Sequence, residues 1–330
     1  MAQMSGILKH KQSKGHNLPL RSYDLKAMRI AKFVFRCVLV SPLFVVPSVS
    51  QQVAFTFDDL PSHGDLPPGQ TRMDVAESIV RTLKEQHMPP VYGFINAAKL
   101  KDRPDDIEVL KAWRAGGDLL GSHTYSHPSL NDLTPAEFEA EIAANEPVLS
   151  KLMMGQDWHW FRYPFLLEGN APEKRHAVRA YLQENGYQIA QVSLDFEDYL
   201  WNAPYARCVA KKDAQSIAAL RASYLATADQ YITVFRDLTH TLYGRDISYV
   251  LLLHIGAFDA KMLPDLIGLF RKRGFTFITL PEAMKDPVYR EDPDLAPKYE
   301  GAFQEQVAGT RHIKFPPNSK PYKELEAACR

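Results

Sequence analysis

Short runs of β-branched, aromatic and aliphatic residues alternate along this chain with longer stretches whose apolar residues recur every three or four positions. The first kind, at 53–57, 91–95, 119–123, 159–163, 188–194, 249–254 and 275–280, reads as strand. The second reads as helix. At 74–86, Val75, Ile79, Val80 and Leu83 fall on one face. Thr134, Pro135 and Glu137 form a capping box with proline at the first helical position, opening a helix that runs to Lys151. The helices at 172–185 and 261–273 stop at Gly186 and Gly274, each placed as a C-terminal cap. Seven strand–helix units predict an α/β fold with a parallel sheet, most simply a (β/α) barrel, with a doubly wound open sheet as the competing architecture. Two segments break the alternation. Apolar residues from Ile217 through Leu220, Tyr224, Tyr231, Phe235 and Leu238 to Leu242 predict one long helix over 211–243, inserted before the sixth strand. The tail after Pro287, rich in Pro, Lys and Glu, is expected to wrap the outside or stay partly loose.

Charge changes the picture of the front end. The 330 residues carry 39 basic and 39 acidic side chains, which gives no support to nucleic-acid binding. Residues 1–50 hold eight of the basic groups and one acid, so 31 basic and 38 acidic residues remain beyond them, a net of −7. Within that front, Arg29, Lys32 and Arg36 precede an apolar core at 37–46 and a small-residue site at Ser48-Val49-Ser50, the plan of a signal peptide over 28–50. The apolar run, interrupted by Pro42 and Pro47, falls short of the ~20 residues of a spanning helix. The expected organisation is a start at Met28, a removed segment 1–50, a principal domain over 51–285 and an extension over 286–330. The mature chain is expected to be exported, periplasmic or secreted, with no stable membrane span. Removing Cys37 leaves Cys208 and Cys329, an even pair that is bonded or free.

Candidate chemistry gathers where the strands end, the face on which barrels build active sites. The first strand runs into Asp58 and Asp59, the third into His123 and His127, and the fourth into Arg162-Tyr163-Pro164-Phe165. The fifth runs into Asp195 and Asp198, the sixth into His254. Histidines spaced i, i+4 on a turn can face one ion, and two imidazoles with one carboxylate leave positions open for water. Adjacent aspartates at a strand end point different ways, so one can bind metal while the other handles protons.

Taken in order, Thr-Phe-Asp-Asp at 56–59, His-Thr-Tyr-Ser-His at 123–127, Arg-Tyr-Pro-Phe at 162–165, Asp-Phe-Glu-Asp-Tyr at 195–199 and Leu-Leu-His at 252–254 resemble the five motifs of the polysaccharide deacetylase family. This is the NodB-homology domain of carbohydrate esterase family 4, and the match runs over 51–285. The resemblance implies a distorted (β/α)7 barrel, with the helical insertion before the strand ending in His254, and metal-dependent removal of acetyl groups from sugars. It implies Asp59, His123 and His127 as metal ligands, Asp58 as catalytic base, Arg162 as its orienting partner, His254 as general acid and Asp198 as the group holding His254. Phe165, through its backbone N–H, with Tyr163 and Pro164 beside it, is the expected oxyanion and substrate segment. The cofactor expected is a divalent cation, zinc first, with cobalt or another first-row metal as alternatives.

Leu60, Phe165 and Tyr199 depart from the family's usual Gly, Tyr and Trp, which alters the groove walls without removing a chemical group the reaction needs. Asp195 either assists the site or satisfies its own loop. The leading reading is an exported hydrolase, a polysaccharide deacetylase taking N-acetyl or O-acetyl groups from an acetylated glycan of the cell wall or exterior. Two others stand beside it: a hydrolase of small cyclic amides on the same metal site, and a sugar-binding module without catalysis. The helix at 211–243 is expected either to wall the substrate groove or to pack on the barrel flank, with Trp201 and Tyr205 offered for stacking on sugar rings. No oligomeric state is assigned.

Overall fold

The computed structural model describes residues 51–295, 301–315 and 320–330. The expected leader at 28–50 lies outside the described residues. Seven strands form a curled parallel sheet: β1 (Gln51–Leu60), β2 (Tyr92–Ile95), β3 (Leu119–Ser122), β4 (Trp160–Phe161), β5 (Gln188–Ile189), β6 (Ser248–His254) and β7 (Phe275–Phe277). β1 sits at the centre, and every residue from Val53 to Leu60 is buried. A parallel strand covered on both faces needs that unbroken burial rather than alternation.

The strand order is β5-β4-β3-β2-β1-β6. The sheet curls until a bridge between Leu194 and Leu251 brings the segment after β5 beside β6. There the amides of Ser193 and Leu194 both donate to the Val250 carbonyl at 3.0 Å. β7 stands outside this ring. It pairs with Gln51–Val53 of β1, whereas β2 pairs from Thr56 onward on the same edge. The barrel is therefore distorted at its seventh strand. Gly121 allows β3 and β4 to approach closely, because a Cβ there would lie 2.6 Å from the Trp160 carbonyl oxygen.

The helices Arg72–Glu85 and Pro135–Leu152 start at Thr71 and Thr134, both in complete capping boxes. Several expected boundaries move, among them the strand expected at 188–194, which ends at Ile189. The last strand stops at Phe277 rather than 280, because Thr279 caps a short helix, Leu280–Ala283, with Glu282. The long helix expected over 211–243 is Ala214–Tyr243, capped by Asp213 through the Ser216 amide, and a shorter helix, Asn202–Ala210, precedes it. The helix expected from 261 is Ala257–Lys272 and begins directly behind β6.

The tail is tied down more than its composition suggests. Helix Phe303–Thr310 docks on the segment that closes the barrel, with the Phe303 amide donating to Val192 O at 2.6 Å and Gln304 Nε2 to Ser193 O at 2.9 Å. Cys329 is disulfide-bonded to Cys208. Arg207 donates to the Leu325 and Ala328 carbonyls at 3.0–3.1 Å. Among the described residues, no helix is long and apolar enough to cross a membrane.

Candidate active site

The strand ends open into a cavity of about 460 Å³ lined by Asp58, Asp59, His123, His127, Phe165, Asp195 and His254, with Tyr199 at its side. Alternation along a strand would send Asp58 and Asp59 to opposite faces. Here the register between β1 and β2 slips between Phe57 and Leu60, and Asp59 takes a left-handed conformation with φ 70°. Both carboxylates consequently reach the cavity. His127 (φ 62°) and Phe165 (φ 57°) are left-handed as well, a concentration of backbone strain of the kind found at functional sites.

Asp58 lies opposite His254 in the β1–β6 register. Its two carboxylate oxygens each accept from Arg162 Nη1 at 3.3 Å, and His123 Nε2 lies 3.6 Å from one of them. Arg162 is 1% exposed and is fixed by Nε donating to Ala190 O at 2.6 Å and Nη2 to Thr56 Oγ1 at 3.1 Å. Burial raises the Asp58 carboxyl to about 6, against the opposing pull of Arg162. In the same cavity, His254 Nδ1 faces Asp198 Oδ1 at 2.8 Å, while its backbone amide donates to Asp198 Oδ2 at 2.6 Å. Burial pulls the imidazole down, but the Asp198 charge and hydrogen bond outweigh it and lift His254 to about 10.

Asp59, His123 and His127 each present one ligand atom, and the three lie within 4.8 Å of one another. The chemistry of this set fits a divalent cation. Burial lowers His123 to about 3, and burial together with His123 lowers His127 to about 4, so both imidazoles are neutral at pH 7 as metal ligation requires. His123 Nδ1 is bonded to the Arg162 carbonyl at 2.8 Å, which leaves Nε2 as the ligand atom and fixes its ring. Asn96 Nδ2 donates to the His123 carbonyl at 2.6 Å and steadies the loop from behind.

The expected residues do not all meet in one place. Phe165 is 55% exposed, its ring centroid 4.5 Å from that of His127. Tyr163 and Pro164 are buried beneath it, with Tyr163 packed against Phe138 and Phe161. Asp195 faces the cavity and also accepts from the Glu197 amide at 2.7 Å. Trp201 is fully buried and donates to Ser223 Oγ at 2.8 Å, so it is not available for the sugar stacking expected of it, and the half-buried Tyr205 packs on Phe258 outside the residues that line the cavity. Tyr231 and Phe235 of the long helix do line the cavity, as do Glu305, Phe315 and Lys320 of the tail.

Sequence reasoning missed three residues. His63 Nδ1 lies 2.6 Å from Asp59 Oδ2. Lys99 Nζ donates to Asp59 O at 2.9 Å and to Ser62 O at 3.1 Å. Asp259 sits fully buried behind Asp198, accepting from Tyr224 Oη at 2.9 Å and Asn202 Nδ2 at 3.0 Å. Burial and the Asp198 charge push Asp259 well above the carboxylate range, so it keeps its proton and adds no negative charge beside Asp198. Gly256 makes room for this group, since a Cβ there would collide with Asn202 and Asp259. An acid on the apolar face of the helix after β6 was the one local signal available for Asp259.

The family model described as polysaccharide deacetylase matches residues 46–190, which include the loops carrying both aspartates, both ligand histidines and Arg162. Over that stretch the chain is similar to the polysaccharide deacetylase family. Among curated relatives, a chitin deacetylase of Arthroderma benhamiae is 25% identical over 194 residues, 59% of this chain and 44% of that protein. A peptidoglycan-N-acetylglucosamine deacetylase of Bacillus cereus is 26% identical over 160 residues, 47% of this chain and 49% of that protein. The chain spans about half the length of these two relatives. The chitin deacetylase structure from Colletotrichum lindemuthianum aligns with TM-score 0.51 at 20% identity, covering 72% of this chain and 88% of that one. A pseudoenzyme of carbohydrate esterase family 4 from Bacillus anthracis aligns with TM-score 0.51 at 14% identity, covering 72% and 66%. These likenesses bear on the fold, and they agree with a distorted (β/α) barrel.

Proposed function

We propose that this protein is an exported, metal-dependent hydrolase that removes acetyl groups, N-acetyl first, from a glycan. The observation that carries the reading is the gathering of two proton-handling pairs and one metal donor set in a single cavity. Asp58 is gripped by Arg162, His254 by Asp198, and Asp59, His123 and His127 line the same cavity. A divalent cation bound by that set, with zinc the first choice for two imidazoles and a carboxylate, supplies Lewis acidity toward a carbonyl oxygen and acidifies water.

The chain's own groups do the rest. Asp58, ionised above its pKa of about 6, accepts the proton of the attacking water. Arg162 holds that carboxylate in place from a buried position, which a flexible lysine would do less well. The Phe165 amide adjoins His127 and is offered to the oxyanion. His254, with Nδ1 engaged by Asp198, keeps Nε2 for the departing sugar nitrogen and carries a proton at neutral pH. Export is supported by the 28–50 pattern and by the Cys208–Cys329 bond, which belongs in an oxidising compartment. An N-acetylglucosamine polymer is supported by the names of the chitin- and peptidoglycan-directed relatives.

The test is acetate release from N-acetylglucosamine oligomers, peptidoglycan fragments and acetylated xylan, with and without chelator. Release from an N-acetylglucosamine polymer that stops on chelation and returns with zinc supports the proposal. Glycan binding with no release by the zinc-loaded protein would favour a binding module. Turnover of small cyclic amides alone would favour the other hydrolase.

A further inference from the structure

We infer that His63 is a positioning residue for the metal centre: its imidazole fixes the Asp59 carboxylate so that one oxygen is reserved for the cation. The inference rests on the metal-site reading above and goes beyond it by adding a residue outside the three ligands. Asp59 uses its two oxygens differently. Oδ2 is engaged by His63 Nδ1 at 2.6 Å, whereas Oδ1 has only longer contacts, with Lys99 Nζ at 3.5 Å and His127 Nε2 at 3.6 Å. An ionised carboxylate only accepts hydrogen bonds, so His63 Nδ1 carries the hydrogen and Oδ1 remains for the ion. A charge-assisted bond of this length removes the freedom of the Asp59 side chain to rotate or to present both oxygens at once.

The backbone delivers His63 to this position. Leaving β1, the chain turns at left-handed Asp59, and the Ser62 amide donates back to Asp59 O at 3.0 Å. The His63 amide then donates to Ile255 O at 3.1 Å, which anchors the turn to the end of β6. Lys99 closes it from beneath through the Asp59 and Ser62 carbonyls. The His63 ring is held by neighbours on the cavity side, with the His254 ring 4.6 Å away and the Tyr199 ring 5.9 Å away. His63 follows Asp59 by four positions, and on this turn that spacing folds the imidazole back over the carboxylate.

Hydrogen bonding to a ligating carboxylate tunes affinity by about 10–100-fold. The experiment measures zinc affinity directly, by competition with a chromophoric chelator, for wild type, His63→Ala, His63→Phe, His63→Asn and His127→Ala. Phe keeps the ring volume and removes the donor, and Asn keeps a donor near the position of Nδ1. Wild type should bind one zinc and His127→Ala should lose it. His63→Ala and His63→Phe should bind about 10–100-fold more weakly, with apo-protein melting temperature unchanged, and His63→Asn should recover most of the loss. The cobalt absorption spectrum of His63→Phe at saturation should match wild type, because no ligand is removed. Wild-type affinity in His63→Phe, or an Asn variant as weak as Phe, overturns the inference while leaving the metal site standing. A changed cobalt spectrum overturns it in favour of direct ligation. Wild type that binds no zinc overturns the metal reading itself.

Discussion

Replacing Asp198 with asparagine isolates the role of charge behind the general acid. The substitution preserves shape and an oxygen for the His254 contact but removes the anion that raises the imidazole to about 10. Burial is then opposed only by the weaker pull of the Asp59 and Asp58 charges, and the pKa falls toward the ordinary 6.5. At pH 8 a group of pKa 10 is about 99% protonated, and one of pKa 6.5 about 3%. The variant should therefore lose about 30-fold in kcat/KM at pH 8. At pH 6 most of the His254 population is protonated in both proteins, and the loss from this cause shrinks to about 2-fold or less. The assay is acetate release from an N-acetylglucosamine tetramer at saturating zinc, with kcat/KM taken every half pH unit from 6 to 9. A ratio of variant to wild type that stays flat across this range would refute the reasoning, because a misplaced but still charged His254 costs the same at every pH.

Asp58→Asn should keep its zinc and lose about 10²–10⁴-fold in turnover, the usual cost of a missing general base; metal analysis beside the rate assay checks both halves. In wild type the acid limb of kcat/KM should lie at or below about pH 6, the value burial gives Asp58 in the metal-free site, because a bound cation favours the ionised carboxylate. Arg162→Met should destabilise the fold by about 3–5 kcal/mol in urea titration, since it leaves the fully buried Asp58 without its partner. Cys329→Ser opens a loop of 121 residues and should cost about 2–5 kcal/mol by the same titration. Because the freed segment carries the cavity residues Phe315 and Lys320, KM for oligomers should rise more than kcat falls.

Most of the architecture was legible because a parallel sheet writes itself into the chain as buried apolar runs separated by capped helices. The strand ends, and with them Asp58, His123, Arg162 and His254, could be placed before any coordinates, since each polar group directly follows a run that must be buried. What local pattern could not give was partnership across the fold. Nothing near Ser62 or Gly64 marks His63 as a neighbour of Asp59, because the contact is made by a turn whose shape depends on Lys99 and on the end of β6. Asp259 was hidden by its helix, where one acid among apolar residues resembles a surface position until the helix is seen against Asp198 and Tyr224. Trp201 misled for the converse reason: an aromatic beside a catalytic loop suggests a sugar platform, yet this one fills the core under the loop. The tail was underrated because a polar composition says little about a segment fixed by one disulfide and a few backbone hydrogen bonds.

The central claim is that one cation held by Asp59, His123 and His127 serves a base, Asp58, that does not itself bind it. Titrating chelator-stripped protein with zinc while following acetate release from an N-acetylglucosamine oligomer tests this most directly. Activity should rise linearly to a break at one zinc per chain, and Asp58→Asn should bind the same single zinc without gaining activity. Full activity in the stripped protein, or loss of zinc binding in Asp58→Asn with retention in Asp59→Asn, would contradict the account.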